Sequence, residues 1–417
     1  MNKVVVISVD AMIGEDMKVL RAMPELKDLF SKSSAVVTVL PVMPSLTYPC
    51  HVSILTGCYP DKHGIINNEV FSPGVKGAPW LWYTSYHKRP SLFKWAKEKG
   101  LSTACIAWPS SSSCPDVDYQ ISKIFAVGEE DELNTPSVKD IYRKHMHLID
   151  GFVTDNLDEF SELCTRDIIS QFKPDLTLSY FALIDSQRHK LGYETEKHIE
   201  SLERVGRRIA RIVEETKKAG IYEDTTFFIT SDHGQINNKR TFSINEVLRQ
   251  KGYIDTDENG NITDWRIYAQ SAAFTCQIHS RNISHSEVYS VLNDIKNEYP
   301  ECVDRILNRY ESKLYYHTDG DYTFIVEGIE GVSYSGDLFK PIIVQAGSGD
   351  YKTAVATHGH SPERGSKPTF VVAGKLAKPG VVVPEASLVD EAPTILKCFG
   401  IDMDGVDGKA IDGILEV

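Results

Sequence analysis

Residues 4–10 of the chain read VVVISVD, a continuous run of apolar, mostly β-branched residues that ends in a carboxylate. Such a run is typical of a strand that is buried on both faces of a parallel sheet. Similar short runs recur at residues 101–107, 176–183, 226–229 and 369–373, with helical stretches between them. This alternation predicts an α/β fold in which helices cover a mostly parallel sheet.

The clearest helical pattern spans residues 195–218, where apolar residues repeat at three- and four-residue steps and Gly220 follows the end. We expect this helix to be a crossover that leads into the strand before Asp232. Polar residues that could bind ligands come just after the predicted strands. Open α/β sheets place their sites in the crevice outside the carboxyl ends of the strands, so the predicted topology and the polar residues agree.

The character of the chain changes between residues 236 and 356, where turn signals and short amphipathic pieces replace the strand and helix alternation. We interpret this stretch as an inserted α+β subdomain over the site. The catalytic core would then comprise residues 1–235 and 357–417. A helix is predicted to begin near Ala392-Pro393-Thr394, because proline is favoured in a first helical turn.

Composition restricts the possible partners of this protein. Hydrophobic residues make up 41% and charged residues 25% of the 417, which is typical of a folded globular chain. The formal net charge of −13 repels polyanions, which argues against nucleic-acid polymers and anionic membranes as partners. A small phosphate ester can still enter a locally cationic metal site. The oligomeric state is not indicated by the sequence.

Three features of the sequence favour a cytoplasmic location. Only three residues precede the first predicted strand, which leaves no room for a signal peptide. No apolar run is long enough to cross a bilayer. The eight cysteines include no CxxC pair and suggest reduced thiols.

Seven potential metal ligands follow one another along the chain, and together they supply three aspartates, three histidines and a hydroxyl. They are Asp10, Thr47, Asp185, His189, Asp232, His233 and His358. Carboxylates and imidazoles suit two divalent cations that flank a nucleophile. Asp185 and His189 lie one helical turn apart, so both can face one ion. The set predicts metal-assisted phosphoryl transfer.

Each of these residues also has an ordinary structural interpretation. Asp10, at the end of a strand, could be a turn or helix-cap residue. Asp232-His233-Gly234 is a common loop composition, and Asp185 with His189 could form an ordinary exposed pair. Their joint placement after successive strands favours the metal site.

The order Asp, Thr-x-Pro-x-His, Asp-x-x-x-His, Asp-His-Gly, His-Gly resembles the alkaline phosphatase superfamily. Within it the sequence is most similar to the nucleotide pyrophosphatase/phosphodiesterase branch, through residues 44–49, 56–65, 68, 107–109 and 390–396. The resemblance implies an alkaline-phosphatase-like three-layer α/β/α sandwich with a cap-like insertion. It also implies a hydrolase of the type I phosphodiesterase/nucleotide pyrophosphatase kind.

The resemblance further implies two metal sites, most simply for Zn²⁺. One would comprise Asp10, Asp232 and His233, and the other Asp185, His189 and His358. Thr47 would bridge the two ions as the nucleophile, because coordination lowers the pKa of an otherwise weakly nucleophilic hydroxyl. The resulting phosphothreonine would then be hydrolysed.

Two further residues receive substrate-binding roles from the resemblance. Asn68 would donate its amide to a non-bridging phosphoryl oxygen. Tyr48 would stack on a nucleotide base, as aromatic faces readily do. The structural alternatives are a helix-cap hydroxyl for Thr47, a turn side chain for Asn68 and a core position for Tyr48.

The sequence leaves the exact reaction open. Cys50, Gln235 and His360 depart from the residues common in the family, whereas the absence of an arginine after Pro49 argues against sulfatases. A phosphomonoesterase, a phosphonoacetate-type hydrolase, a phosphomutase-like isomerase and a non-catalytic metal-binding relic remain alternatives. Specificity would reside in the 236–356 segment and in the aromatic 69–90 loop, and the leaving group stays undetermined.

Overall fold

The computed structural model describes residues 2–75, 77–122, 131–149, 153–347 and 350–417. Residue 76 of the 69–90 loop and residues 348–349 of the predicted insertion lie outside the described residues. Within the described ranges, no helix is both long and apolar enough to cross a membrane.

The strands of the described chain are β1 Lys3–Val9, β2 Ser34–Leu40, β3 Thr103–Ile106, β4 Tyr119–Ile121, β5 Leu176–Phe181, β6 Thr225–Thr230, β7 Ile236–Asn237, β8 Arg240–Phe242, β9 Ile254–Thr256, β10 Ile262–Trp265, β11 Ile267–Ala272, β12 Thr275–Ser280, β13 Val303–Asn308, β14 Phe324–Gly328, β15 Val332–Tyr334, β16 Ile343–Gln345, β17 Ala356–Thr357, β18 Phe370–Gly374 and β19 Val382–Ser387.

The α-helices are α1 Met17–Ala22, α2 Lys27–Ser31, α3 Thr47–Thr56, α4 Pro60–His63, α5 Leu92–Glu98, α6 Lys139–His145, α7 Thr154–Phe172, α8 Leu183–Leu191, α9 Ile199–Lys218, α10 Ile244–Gln250, α11 His285–Glu298, α12 Arg309–Tyr316 and α13 Glu391–Lys397. The helix predicted from residue 195 begins at Ile199, because Thr195–Lys197 forms a separate 3₁₀ turn.

The main sheet has eight strands in the order β19-β2-β18-β6-β1-β5-β3-β4. β1 pairs in parallel with both β5 and β6, so the three strands that carry site residues lie side by side. β18 runs antiparallel to its neighbours β2 and β6. The predicted mostly parallel sheet is therefore confirmed.

Helices cover both faces of this sheet. Alternate residues of β1 point to opposite faces, and all of Val4 to Val9 is buried. Val4 and Val6 belong to an apolar cluster with residues of α3, α5 and α13, whereas Val5 and Ile7 belong to a cluster with residues of α1, α2 and α9. The three-layer α/β/α architecture follows from this double burial and is confirmed.

The 236–356 segment forms smaller sheets of its own. An antiparallel sheet in the order β11-β12-β14-β13 packs with α10 and α11 around a separate apolar cluster. β7, where the segment begins, pairs antiparallel with β17, where it ends. Its two ends therefore lie side by side, as an insertion requires. The predicted division into core and inserted subdomain stays a prediction.

Candidate active site

Three ligand-type side chains meet at the carboxyl ends of β1 and β6. Asp10 follows β1 directly, and Asp232 with His233 follows β6 after one serine. One ligand atom from each lies within 4.8 Å of the others, and all three residues are buried. The Asp232 carboxylate is oriented by the Ala11 N–H at 3.1 Å, and Asp10 accepts a hydrogen bond from the Tyr180 hydroxyl.

A second set of three lies beside it, built from α8 and the residue after β17. Asp185 and His189 occupy one face of α8, with the His189 Nε2 3.2 Å from an Asp185 oxygen. His358 follows β17 and brings its Nε2 to 3.7 Å from the other Asp185 oxygen. These three groups also lie within 4.8 Å of one another. The two sets match the grouping that the sequence predicts, while the role of each residue as a ligand stays a prediction.

Backbone carbonyls fix the orientation of the imidazoles. The Nδ1 of His189 lies 2.7 Å from the Ala356 carbonyl oxygen, and the Nδ1 of His358 lies 3.0 Å from that of Ser45. A carbonyl oxygen only accepts hydrogen bonds, so each Nδ1 carries a hydrogen. Nε2 is therefore the nitrogen that faces the carboxylates and is left to bind a metal ion, as in metal-binding imidazoles.

The electrostatics of the site follow from burial and from the neighbouring charges. Burial lowers the pKa of His358 to about 4, so its ring is neutral near pH 7 and available as a ligand. Burial raises the pKa of Asp232 to about 7; the Ala11 N–H opposes this shift, and the Asp185 carboxylate adds to it. Burial also disfavours ionisation of Asp185, but His189, together with His358 and His233, outweighs that cost and lowers the Asp185 pKa. Acidic groups packed this closely would be stabilised by bound cations.

The donor atoms fit divalent ions such as zinc. Each set combines imidazole nitrogen with carboxylate oxygen, and three protein ligands leave positions open for substrate, as in catalytic zinc sites. The two sets are neighbours, because the His233 and His358 rings stack with their centroids 3.8 Å apart and 15° between their planes. A phosphoryl group between them could contact both ions.

Thr47, the predicted nucleophile, lies beside His233 of the first set. Its Oγ1 lies 3.3 Å from the Nε2 of His233, and the side chain is 6% exposed. Thr47 is the first residue of α3, and no side chain caps this helix, so its hydroxyl is not a helix cap. The positive end of the helix dipole favours negative charge on the Thr47 oxygen.

Asn68 is held against the start of the same helix. Its Oδ1 accepts the Tyr48 N–H at 2.9 Å, which fixes the amide so that Nδ2 points the other way, toward the Tyr351 hydroxyl at 3.4 Å. Tyr48 itself is 1% exposed and meets Trp80 edge to face, with ring centroids 5.3 Å apart. The ring that the resemblance assigns to a nucleotide base is therefore covered, and its substrate role stays a prediction.

Several residues near the site received no role from the sequence. Gln235 donates its amide to an Asp185 oxygen at 2.6 Å, which explains a polar residue after Asp232-His233-Gly234. His51 has its Nδ1 2.8 Å from the Thr47 carbonyl oxygen and 3.3 Å from an Asp232 oxygen. Tyr351 stacks near His358, with ring centroids 6.0 Å apart. The sequence offered one signal for Tyr351: it lies seven residues before His358, where the chain returns to the core.

A large cavity is lined by residues next in sequence to Asn68 and Tyr351. It has a volume of about 1010 Å³, and its lining includes Glu69, Asp350, Lys352 and Thr353. Glu69 and Lys352, the neighbours of Asn68 and Tyr351 in sequence, form an ion pair at 2.8 Å. Residues 69–72, 74–75, 77–78 and 335–340 also line the cavity.

Cys50 and the aromatic residues of the 69–90 loop differ in burial. Cys50 is fully buried in the apolar cluster of α3, which agrees with a packing role. Trp80 and Trp82, which are partly buried, pack against the cluster of Tyr48, Val52 and Ile65. Tyr83 and Tyr86 lie beside each other, with ring centroids 6.3 Å apart, and Tyr86 is exposed.

Comparison with known proteins gives consistent matches. The family model described as type I phosphodiesterase/nucleotide pyrophosphatase matches residues 4–340. Human ectonucleotide pyrophosphatase/phosphodiesterase family member 1 is 26% identical over 215 residues, which cover 50% of this chain and 21% of that protein. Bis(5'-adenosyl)-triphosphatase enpp4 of Xenopus laevis is 23% identical, over 57% of this chain and 48% of that protein.

A third relative, ectonucleotide pyrophosphatase/phosphodiesterase family member 7 of Rattus norvegicus, is 22% identical over 71% of this chain and 64% of that protein. The chain thus spans less than two thirds of the length of each of these curated relatives. Among solved structures, murine ectonucleotide pyrophosphatase/phosphodiesterase 5 superposes with a TM-score of 0.70 at 15% identity, over 99% of this chain and 100% of that one. An inactive form of the murine protein in complex with AMP gives 0.71 at 14% identity, over the whole of both chains. These structures show the shared fold.

Proposed function

Because the chain belongs to the type I phosphodiesterase/nucleotide pyrophosphatase family, the branch that its sequence resembles, we propose that it hydrolyses small phosphodiesters or pyrophosphates. Thr47 would be the nucleophile. The observation that carries this proposal is the position of the Thr47 oxygen, 3.3 Å from His233 and at the junction of two three-residue donor sets.

We assign two divalent metal ions to the site, with zinc as the best match to the donors. Asp10, Asp232 and His233 would hold one ion, and Asp185, His189 and His358 would hold the other. Bound ions of this kind polarise a phosphoryl oxygen and lower the pKa of a nearby hydroxyl.

The chain's own residues then account for the course of the reaction. The Thr47 oxygen attacks phosphorus, and the bond from phosphorus to the leaving oxygen breaks. Water then attacks the phosphothreonine, the bond from phosphorus to the Thr47 oxygen breaks, and the free hydroxyl returns. Asn68 is oriented throughout by the Tyr48 N–H, so its amide stays available to a non-bridging phosphoryl oxygen without reorganisation.

Nucleotide-containing esters are the substrate class that we favour. The murine family structure solved with AMP and the relative named as a bis(5'-adenosyl)-triphosphatase support this choice. The cavity of about 1010 Å³ has room for the leaving group of such an ester. The net charge of −13 argues against polymeric nucleic acid, and we keep a cytoplasmic location as part of the proposal.

The experiment compares a nitrophenyl nucleoside phosphodiester with a nitrophenyl phosphomonoester, using zinc-loaded protein. We expect faster cleavage of the diester and a loss of about 10³-fold or more in kcat for Thr47→Ala. Thr56→Ala is the matched control, because Thr56 lies at the other end of α3 and bonds the Val52 carbonyl.

Each other result has a defined meaning. Faster monoester cleavage would favour a phosphatase or phosphonate hydrolase, and silence on both substrates would favour the mutase-like or non-catalytic alternatives. Full activity in Thr47→Ala would exclude the threonine mechanism.

A further inference from the structure

Tyr351 lies against the site but belongs to none of the motifs that identify it. Its ring stacks on His358 with centroids 6.0 Å apart and 23° between the planes. It also meets His189 edge to face at 6.0 Å and Trp80 at 5.7 Å. The ring is thus surrounded by His189 of α8, by His358 after β17 and by Trp80 of the aromatic loop.

The hydroxyl of Tyr351 is directed toward Asn68. The Asn68 Oδ1 is occupied by the Tyr48 N–H, so the 3.4 Å contact between Asn68 and Tyr351 is made by the Nδ2 group, which donates to the Tyr351 oxygen. A phenol that accepts in this way keeps its own hydrogen for a second partner. Among the residues that the structure describes, no acceptor for that hydrogen is present.

The backbone around Tyr351 is held on both sides. Lys352 forms an ion pair with Glu69, the residue after Asn68, at 2.8 Å. Asp350 caps the short turn by accepting the Lys352 N–H at 2.8 Å. Further along, the Val355 N–H donates to the His189 carbonyl oxygen at 3.0 Å. The phenol is therefore fixed relative to both Asn68 and the second donor set.

We propose that Tyr351 is a substrate-contacting residue whose phenolic O–H donates a hydrogen bond to a non-bridging phosphoryl oxygen, beside the Asn68 amide. The proposal rests on the phosphoryl transfer inferred above. Asn68 bonds the backbone of Tyr48, the residue after Thr47, and also the Tyr351 hydroxyl, so the two donors are neighbours near the start of α3. A prepositioned donor pair of this kind stabilises the charge that develops on the phosphoryl oxygens.

The test uses Tyr351→Phe, which removes the hydroxyl but keeps the ring against His358. Tyr315→Phe is the matched control, because Tyr315 is 65% exposed on α12. Zinc-loaded proteins are assayed with a nitrophenyl nucleoside phosphodiester and with its two phosphorothioate diastereomers. We expect Tyr351→Phe to lower kcat/KM for the oxygen diester by about 10- to 100-fold.

The two diastereomers separate a direct contact from a structural effect. Sulfur accepts hydrogen bonds poorly, so the wild-type protein should prefer the isomer that presents oxygen to Tyr351. Tyr351→Phe should shrink this preference by about fivefold or more. Tyr315→Phe, which removes an exposed hydroxyl on α12, should leave the preference in place.

A kcat/KM of Tyr351→Phe within about twofold of the wild-type value would overturn the proposal. An unchanged preference between the two isomers would also overturn it. Inorganic vanadate binding, measured by calorimetry on the zinc-loaded proteins, provides a readout without turnover. We expect binding weaker by about fivefold or more in Tyr351→Phe, and equal binding would overturn the contact. Failure of the wild-type protein to cleave the diester would instead contradict the proposed function, and the vanadate result would still decide the role of Tyr351.

Discussion

At the scale of single residues, the space beside His358 is set by a glycine. Gly359 has a φ of +87°, and a Cβ at this position would lie 1.8 Å from the Ala272 carbonyl oxygen. Its N–H donates to the Ser45 carbonyl oxygen at 3.0 Å, the same oxygen that lies beside the His358 Nδ1. Gly359 thus lies between the backbone of β11 and the side chain of His358, a candidate metal ligand.

We predict that Gly359→Ala displaces His358 and lowers both zinc affinity and stability. The clash with a backbone atom cannot be relieved by a side-chain rotation, so we expect a loss of about 3 kcal/mol or more in the free energy of unfolding. Gly380→Ala is the control, because Gly380 has a φ of +74° with nothing within 4 Å of the added Cβ. It should cost only about 1 kcal/mol. Denaturation and zinc titration of both variants give the comparison, and equal losses would contradict the steric explanation.

At the scale of helices and strands, the start of α8 is completed by another helix. The first turn of α8 has no side-chain cap of its own. The buried Asp158 of α7 accepts the Ala182 N–H at 2.6 Å and the Leu183 N–H at 3.2 Å. Since Asp185 and His189 lie on α8, Asp158 positions the second donor set from a distance.

We predict that Asp158→Ala weakens zinc binding at the second set by about tenfold, as for other residues that orient ligands. Its two backbone donors would lose their acceptor, at a cost of about 1–3 kcal/mol in the free energy of unfolding. Ser284→Ala is the matched control, because Ser284 caps α11 by accepting the Glu287 N–H. It should lower stability by about 1 kcal/mol while zinc binding stays unchanged. Calorimetric zinc titration separates the two results, and unaltered affinity in Asp158→Ala would contradict the positioning role.

The sequence predicts well those helices and strands that are determined by a local pattern of residues. The apolar run at residues 4–9 lies within β1, because burial on both faces leaves no place for polar residues. The sheet of β15, β8 and β16 was not predicted, since it joins residues 240–242 to residues 332–334 and 343–345. Such pairing depends on the whole fold rather than on any local pattern.

The same distinction holds within the site. Asp10, Asp232 and His233 could be predicted because each follows a strand in a recognisable motif. Tyr351 could not, because its contact with Asn68 depends on the path of the chain between β14 and β17. The burial of Tyr48 likewise depends on Trp80, which lies in a loop without regular pattern.

At the scale of the whole molecule, a buried acid affects how stability depends on pH. Glu391 on α13 is almost fully buried, and both of its carboxyl oxygens lie 2.9 Å from the Thr230 hydroxyl. Burial raises the pKa of Glu391 well above its ordinary value of 4.5, although the Thr230 hydroxyl opposes the shift. The folded chain therefore binds this proton more tightly than the unfolded chain does.

It follows that the contribution of Glu391 to stability is fully present below pH 4.5 and is lost as the pH rises above it. The slope is at most about 1.4 kcal/mol per pH unit for one proton. We predict that Glu391→Gln removes this slope, so that the variant gains stability relative to wild type as the pH rises. Chemical denaturation at several pH values between about 5 and 8 measures the difference. A difference that does not change with pH would contradict the prediction, and Glu385→Gln on β19 controls for the loss of one exposed charge.

The pairing of β7 with β17 bears on the order in which the molecule assembles. β7 begins three residues after His233, and β17 ends immediately before His358, so these two histidines can stack only once the long segment between them has closed. Closing a longer loop adds little to the equilibrium cost, but contacts between distant residues slow folding. The first donor set needs no such closure. We therefore expect a refolding chain to complete the first donor set before the second, so that the ion proposed at His358 would bind last.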